Sequence, residues 1–432
     1  MLEQLYEKYL AHPIVCTDTR NIIPNSIFFA LKGPSFDANK FASKALGDGC
    51  AYAVIDDPQY QVDERYVLVD DVLQILQDLA NFHRKQFTIP FIGITGSNGK
   101  TTSKELINSV LSMKYSVLAT EGNLNNHIGV PLTLLKVHKE NDIAIIEMGA
   151  NHQGEIDFLC NIAEPNFGIV TNIGKAHLEG FGGFEGVVKT KTELYRFINK
   201  QQGLLFVNND NNLLVDKSVG CNKHTYGITD TADYIGALQK CDPYVTITIN
   251  AKEDAKDLTP ITTQLIGKYN FENVLAAACI GDFFDVSLDS IKKALETYTP
   301  SNNRSQVVQK KGNTILLDAY NANPTSMKVA IDNFAQLTAN NKVVVLGDMK
   351  ELGDESKQEH ATIVKQLDAN GLTNVYLVGK SFMEVAQIDS HICFDNVDLL
   401  AEYICKNPIL NSSILVKGSR SMQLEKLLEQ AI

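Results

Sequence analysis

Short apolar runs of four or five residues recur along this chain, and most are followed by a stretch whose apolar positions suit a helix. In the middle of the chain they fall at residues 92–95, 116–119, 143–147, 168–171 and 204–207. Near the end they fall at 314–317, 342–346, 374–378 and 413–416. Strands alternating with helices predict parallel sheets covered by helices, with ligand-binding groups at the carboxyl ends of the strands. Thr95, Glu147 and Thr171 stand at such ends, as do the turns Gly347-Asp348 and Gly379-Lys380. An earlier block holds short strands at 26–30 and 51–55 and a helix at 72–86. Residues 244–250 read as an added antiparallel element, and 270–284 as a helix. With boundaries marked by Pro90 and Pro300, the expectation is α/β throughout in three domains. A small N-terminal α/β unit spans 1–88, a central parallel-sheet unit of P-loop type spans 89–300, and a Rossmann-like α/β unit spans 301–432.

The first central run continues into Thr95-Gly96-Ser97-Asn98-Gly99-Lys100-Thr101-Thr102, followed by a helical pattern from Ser103. A strand, a glycine turn and a helix start make an anion site: N–H groups point outward, the helix dipole favours negative charge, and Lys100 adds a cation. Lys100 is expected to face solvent and carry little packing. The Thr101 hydroxyl suits a magnesium ion held between phosphates. The segment therefore reads as the phosphate cradle of a nucleoside-triphosphate enzyme, with Gly96 to Thr102 around the phosphates. It departs from the usual P-loop, which has glycine where Ile94 stands here.

Length and charge narrow the field. A chain of 432 residues suits two or three domains. The net charge of −12 argues against broad nucleic-acid binding, and any anionic substrate must be held by local cations or metal. The eight cysteines include no Cys-x-x-Cys pair, which suits reduced thiols in a cytoplasmic protein. No apolar run is long enough to span a bilayer, so no membrane insertion is expected, and the start MLEQLYEKYL lacks a signal-type apolar region.

Three further segments carry chemistry. Glu147 could ligate magnesium beside a phosphate loop or end its strand facing solvent. The loop Thr171 to Gly182 has three glycines, and its His177 could ligate metal or serve as a hydrogen-bonding loop residue. Residues 184–199 read as one helix on which Lys189 and Lys191, with Glu193, form a solvated face of little energetic weight.

Taken together, Thr95-Gly-Ser-Asn-Gly-Lys-Thr-Thr102, Glu147-Met-Gly-Ala150, Asn172-Ile-Gly-Lys-Ala-His-Leu-Glu-Gly-Phe181 and Lys189-Thr-Lys-Thr-Glu-Leu194 resemble the Mur ligases, ATP-dependent amide-bond-forming enzymes of peptidoglycan synthesis. Asp318-Ala-Tyr-Asn-Ala-Asn-Pro-Thr-Ser-Met327 and Gly347-Asp-Met-Lys-Glu-Leu-Gly353 resemble the branch that acts on UDP-N-acetylmuramoyl-tripeptide and D-alanyl-D-alanine. Asp18-Thr-Arg20 and Ser26-Ile-Phe-Phe-Ala-Leu-Lys-Gly33 look like its sugar-nucleotide domain.

The resemblance implies ATP and Mg2+ as cofactors and an acyl-phosphate mechanism. Lys100 and Thr101 would serve the phosphates and the metal, Glu147 and His177 would be metal ligands, and Lys191 would be a carbamylated lysine, with Lys100, His177 and Lys191 as the catalytic group. Asn270 and Asn273 would lie at adenine, Arg304 and Asp318 would reach ATP from the third block, and Asn321 and Asn323 would meet substrate. Asp18, Arg20, Lys32 and Asp37 would grip the UDP-sugar. A monomer is expected. Tyr269 and Asn303 depart from the family pattern, and so does Asp37-Ala38-Asn39, where glycine usually holds position 38. Alanine there is expected to disturb the sugar site, since it takes positive φ less easily than glycine. A folylpolyglutamate synthase is the rival within the superfamily. A nucleotide-dependent switch protein is the rival outside it, and it would need neither Lys191 nor a C-terminal substrate domain.

Overall fold

A computed structural model describes residues 1–250, 260–300, 304–339, 341–386 and 391–432 of the chain. Three α/β units follow one another, each built on its own sheet. The first sheet holds β1 (Val15–Cys16), β2 (Ile27–Phe29), β5 (Tyr52–Ile55) and β6 (Tyr66–Leu68), all parallel, in that order. Between β2 and β5 a small ribbon pairs β3 (Lys32–Gly33) with β4 (Phe36–Asp37).

The second sheet contains β7 (Phe91–Thr95), β8 (Val117–Ala119), β9 (Ile143–Glu147), β10 (Phe167–Val170), β11 (Leu204–Asn208), β12 (Lys223–Gly227), β13 (Tyr234–Cys241), β14 (Tyr244–Asn250) and β15 (Ile261–Ile266). Their spatial order is β15-β14-β13-β12-β11-β10-β7-β9-β8. The strands from β8 to β13 are parallel, while β14 and β15 are added antiparallel. All five residues of β7 and of β9 are buried, as expected for strands covered by helices on both faces.

The third sheet contains β16 (Gln306–Lys310), β17 (Asn313–Asp318), β18 (Lys342–Gly347), β19 (Val375–Val378), β20 (Ile392–Phe394) and β21 (Ser413–Lys417), in the order β16-β17-β21-β18-β19-β20. Only the β16–β17 pair is antiparallel. Sequence patterning places β17, β18, β19 and β21 to within a residue or two but misses the parallel edge strand β20 and the antiparallel β16, and so this hairpin. Its turn is Lys311-Gly312, both at positive φ, and lysine in that role carries no strong turn signal.

Helix packing sets the positions that matter for a site. The helix Val72–Arg84 is capped by Asp71, whose carboxylate accepts from the Gln74 amide at 2.9 Å. At its other end Arg84 donates to the carbonyls of Ala163 and Glu164. Apolar residues of the first unit and the near face of the central sheet thus share one core. The helix Asn270–Phe283 is buried along most of its length. Its small residues let it lie close against the helix Lys100–Leu111: a Cβ on Gly281 would come within 2.4 Å of Val110 Cγ1.

Residues 184–199 are two helices rather than one, Phe184–Lys191 and Glu193–Lys200. The Thr190 and Thr192 hydroxyls donate back to the carbonyls of Gly186 and Val188 at 2.9 Å. Such back-bonding competes with the helix ladder and bends it.

Candidate functional site

The central sheet changes direction between β7 and β10, where an open parallel sheet places its ligand crevice. The loop after β7 and the loop after β10 meet there. Gly96, at φ 147°, brings the first loop so close that a Cβ would lie 2.0 Å from Thr171 Oγ1. The Ser97 hydroxyl donates to the Gly174 carbonyl and accepts from the Gly174 amide, both at 3.0 Å. The Asn98 amide donates to Asn172 Oδ1, and its carbonyl accepts from Thr171 Oγ1 and Asn172 Nδ2. Gly99, at φ 78°, caps the helix that begins at Lys100. A Cβ on it would stand 2.7 Å from Asn273 Oδ1. Thr102 is buried in the first turn of the helix. Two close approaches and a helix start therefore shape a concave cradle whose first-turn N–H groups have no intrahelical partner.

Lys100 does not extend into solvent. Its ammonium curls back to donate to the Gly96 carbonyl at 2.7 Å. Burial in the crevice pulls its pKa down to about 8, with Arg304 adding in the same direction and Glu147 opposing.

Glu147 ends β9 fully buried. Its Oε1 accepts from Thr101 Oγ1 at 3.1 Å and from Asn125 Nδ2 at 2.8 Å, while its Oε2 has no hydrogen-bond partner among the described residues. A buried carboxylate oxygen left bare is costly, and it is the kind of oxygen a hard divalent cation takes. Among the described residues no three His, Cys, Asp or Glu side chains form a ready-made metal cage. An ion here would therefore share its coordination with substrate oxygens, the usual habit of Mg2+. His177 lines the same cavity at φ 51°, with Nδ1 bonded to Glu351 Oε2 of the third unit.

Lys191 is 1% exposed, not on a solvated face. It stands outside the cavity lining, with its ammonium 5.3 Å from the Phe181 ring centroid. Burial holds its pKa well below that of an ordinary lysine, and the charge of Lys100 adds to this, against Glu155 and Glu193. Lys189 is exposed.

Asn270 and Asn273 are both buried at the start of their helix, where the Asn273 amide donates to Asn270 Oδ1 at 3.0 Å. Both line the cavity with Lys100, Thr101, Glu147, Arg304 and Asp318. Asn270 also reaches Ser305, and Tyr269 shares a hydroxyl contact of 3.0 Å with it. Asn303 lies outside the described residues.

From the third unit, Arg304 stacks its guanidinium 3.7 Å from the Tyr320 ring centroid. Asp318 ends β17 beside Lys417 at the end of β21, and their charges meet at 2.5 Å. Asn321 borders the cavity and accepts from Lys417 through its carbonyl at 3.3 Å. Asn323 caps the next helix and donates to Asn98 Oδ1 at 2.8 Å, joining the third unit to the phosphate loop.

The cavity measures about 1150 Å³, more than a single small ligand usually needs. The first unit contributes Leu73, Gln74 and Gln77 to its wall. The four residues expected at the sugar nucleotide do not line it. They cluster instead at the carboxyl end of the first sheet, in the ion pairs Arg20–Asp18 at 2.6 Å and Lys32–Asp56 at 2.7 Å. Arg20 draws the Asp18 carboxyl down to about 2. Asp37 caps a short helical turn, Ala38–Phe41, which Asn39 ties to Asp56. Ala38 sits inside that turn, so no positive φ is demanded of it, contrary to expectation.

Sequence reasoning misses several groups: Asn125 on Glu147, Tyr320 under Arg304, Lys417 on Asp318, and Glu351 on His177. Asn125, Tyr320 and Lys417 lie at or beyond strand ends, the one available signal. Glu351 depends on pairing between units.

Comparison with known proteins follows the same outline. The Mur ligase middle domain pattern matches residues 94–281, and the Mur ligase glutamate ligase domain pattern matches residues 303–420. The UDP-N-acetylmuramoyl-tripeptide–D-alanyl-D-alanine ligase of Bacillus subtilis is 34% identical, over 99% of this chain and 94% of that protein. The structure of MurF from Acinetobacter baumannii superimposes with a TM-score of 0.86 at 30% identity, over 99% of this chain and 98% of the other. MurF ligase from Thermotoga maritima, solved with ADP, superimposes with a TM-score of 0.85 at 27% identity, over 98% and 97%. With relatives above 30% identity along nearly its whole length and the same three-unit fold, the chain belongs to the Mur ligase family.

Proposed function

We infer that this chain is an ATP-dependent ligase that joins D-alanyl-D-alanine to UDP-N-acetylmuramoyl-tripeptide, a step of peptidoglycan synthesis. The observation that carries the reading is the single cavity that unites the phosphate loop, Glu147 and the strand ends of the third unit. The names of its full-length relatives supply the substrates. We assign residues 1–88 to the UDP-sugar, 89–300 to ATP, and 301–432 to the incoming dipeptide and part of the ATP site.

The chemical task is to bring two anions together, a carboxylate and a triphosphate. The loop N–H groups, the helix dipole and Lys100 meet the charge on the transferred phosphoryl group. Arg304, held flat on Tyr320, meets the nucleotide from the opposite wall. The peptide carboxylate attacks the γ-phosphorus and ADP leaves, giving an acyl phosphate. The dipeptide amine then attacks the acyl carbon, and the tetrahedral intermediate collapses to an amide and phosphate. No protein nucleophile is needed. Contacts between the units help exclude water from the acyl phosphate.

Thr101, the bare Oε2 of Glu147, His177 and a carbamylated Lys191 would hold Mg2+, which when bound neutralises phosphate charge in the transition state. Lys191 suits carbamylation because burial favours its neutral amine. The amine nitrogen adds to the carbon of CO2 and loses a proton, leaving an anion with two oxygens. All these groups come from one chain, and a monomer is the working unit we propose. The cytoplasm, where ATP is available, is the compartment this reading requires.

The deciding measurement is phosphate release. It should appear only when ATP, the UDP-muramoyl-tripeptide and D-alanyl-D-alanine are all present. Equal release without the dipeptide would refute the ligase, and release driven by a folate and glutamate would favour the other branch of the superfamily.

A further inference from the structure

We propose that Glu351 is a positioning residue for His177, supplied across the cleft, so that this imidazole is correctly set only while the third unit is docked. The proposal rests on the reading of His177 as a metal ligand.

The geometry supports it from three sides. First, Glu351 Oε2 sits on His177 Nδ1, and no other hydrogen bond is made by the Glu351 carboxylate among the described residues. A carboxylate there draws the ring proton to Nδ1 and leaves the lone pair on Nε2, the arrangement by which carboxylates orient metal-binding histidines. His177 Nε2 has no hydrogen-bond partner among the described residues, and the ring lines the cavity with Glu147 and Thr101. Second, both residues stand at positive φ, 51° for His177 and 63° for Glu351. Non-glycine residues keep that backbone only where the surroundings impose it. Third, the loop that carries His177 is seated on the third unit along its length. The Lys175 amide donates to Thr325 Oγ1 at 3.0 Å, and the Lys175 ammonium pairs with Glu359 at 2.6 Å.

The Glu351 side chain is 55% exposed, and an ion pair so wet adds little stability. What it controls is the rotation and tautomer of one ring. The residue that completes the central unit's site thus belongs to the unit that brings the acceptor. Undocking the third unit would release the imidazole, and ATP bound without the acceptor would face an incompletely ordered metal site.

The test is a double-mutant cycle on the full chain, read by Mn2+ binding in the presence of ADP, followed by electron paramagnetic resonance. Glu351→Ala and Glu351→Gln should weaken Mn2+ binding by about 10–100-fold. In a His177→Ala background, Glu351→Ala should add less than about twofold, because it acts through the ring. Glu359→Ala, which breaks a docking contact on the same loop without touching the ring, should leave Mn2+ affinity within about twofold of wild type. Full additivity, or equal damage from Glu359→Ala, would make Glu351 a docking contact only and overturn the inference. Normal Mn2+ binding by His177→Ala would remove the ligand reading itself, and the inference with it. Nitrogen-15 spectra of wild-type protein without metal give an independent check. The His177 proton should reside on Nδ1, and a predominantly Nε2–H ring would sink the proposal.

Discussion

The two walls of the cleft are built on different principles. On the central wall, the phosphate loop is fastened to the neighbouring loop by backbone and side-chain bonds at Ser97, Asn98, Thr171, Asn172 and Gly174, all within one unit. The third wall reaches the site through a handful of bonds between units: Asn323 to Asn98, Thr325 to Lys175, Glu351 to His177. The first wall is made before any substrate arrives, whereas the second depends on docking. Nucleotide binding and amide formation should therefore separate under mutation, with changes in the phosphate loop removing both and changes at the docking residue Thr325 impairing amide formation while sparing ATP.

The sharpest break of this comparison is Lys100→Ala. We expect kcat to fall by about 10²–10³-fold or more, the scale on which charge-stabilising groups contribute. The melting temperature should stay within a few degrees of wild type, because among the described residues the Lys100 ammonium bonds only to loop carbonyls. Turnover near that of wild type would take the loop out of the chemistry.

Next in size is Lys191→Ala. Loss of most activity is expected, with partial rescue by formate or acetate filling the vacated oxygen positions. Lys189→Ala, on the exposed side of the same helix, should change rates by no more than a few-fold. A plain ammonium at Lys191 in a well-resolved map of active enzyme would end the carbamate proposal.

A subtler effect concerns protons. The depressed pKa of Lys100, about 8 in the free protein, means that part of the population is neutral at pH 8 to 9. Phosphate binding favours the charged form and raises that pKa, so ATP binding should take up a fraction of a proton in this window. Below about pH 7 the lysine is already charged, and the uptake should vanish. Calorimetry in buffers of different ionisation enthalpy measures it, and uptake that persists in Lys100→Ala would assign it elsewhere. The linkage to folding has a definite sign. The folded pKa lies below that of the unfolded chain, so the unfolded state binds more protons between about pH 8 and 10.5, and this group's contribution to stability rises with pH there.

The smallest expected effect lies away from both walls. Asp18→Ala should raise KM for the UDP-linked substrate several-fold and leave KM for ATP unchanged, because the Asp18–Arg20 pair stands outside the main cavity. Unchanged kinetics for both substrates would remove this pair from the sugar nucleotide's grip.

Most of the sheet framework is legible in the amino-acid sequence. Buried parallel strands are continuous apolar runs such as Ile143 to Ile146, and such runs can be read without knowing their neighbours. The hairpin strand β16 is not legible, since it is only partly buried and its turn residues are unremarkable. The burial of Lys191 is hidden for a related reason: a lysine on an amphipathic helix reads as surface until Phe181 and the neighbouring helices are placed around it. The phosphate loop announces itself because its glycines are needed for close backbone approach. Glu351 and Lys417 do not, since their importance lies in partners far away in sequence, 174 and 99 residues respectively.

The close approach at Gly96 bears on how this enzyme would answer selection by an inhibitor. Any side chain at that position would collide with Thr171, and a side chain at Gly99 would collide with Asn273. Mutational escape is closed off in the cradle, because the changes that would expel a bound compound would also expel ATP. The outer rim offers more freedom. Leu73 and Phe158 border the same cavity, and Phe158 is 42% exposed, so its replacement would disturb little else. A compound confined to the cradle would meet a target with few viable variants, while one leaning on the rim would select resistance there first.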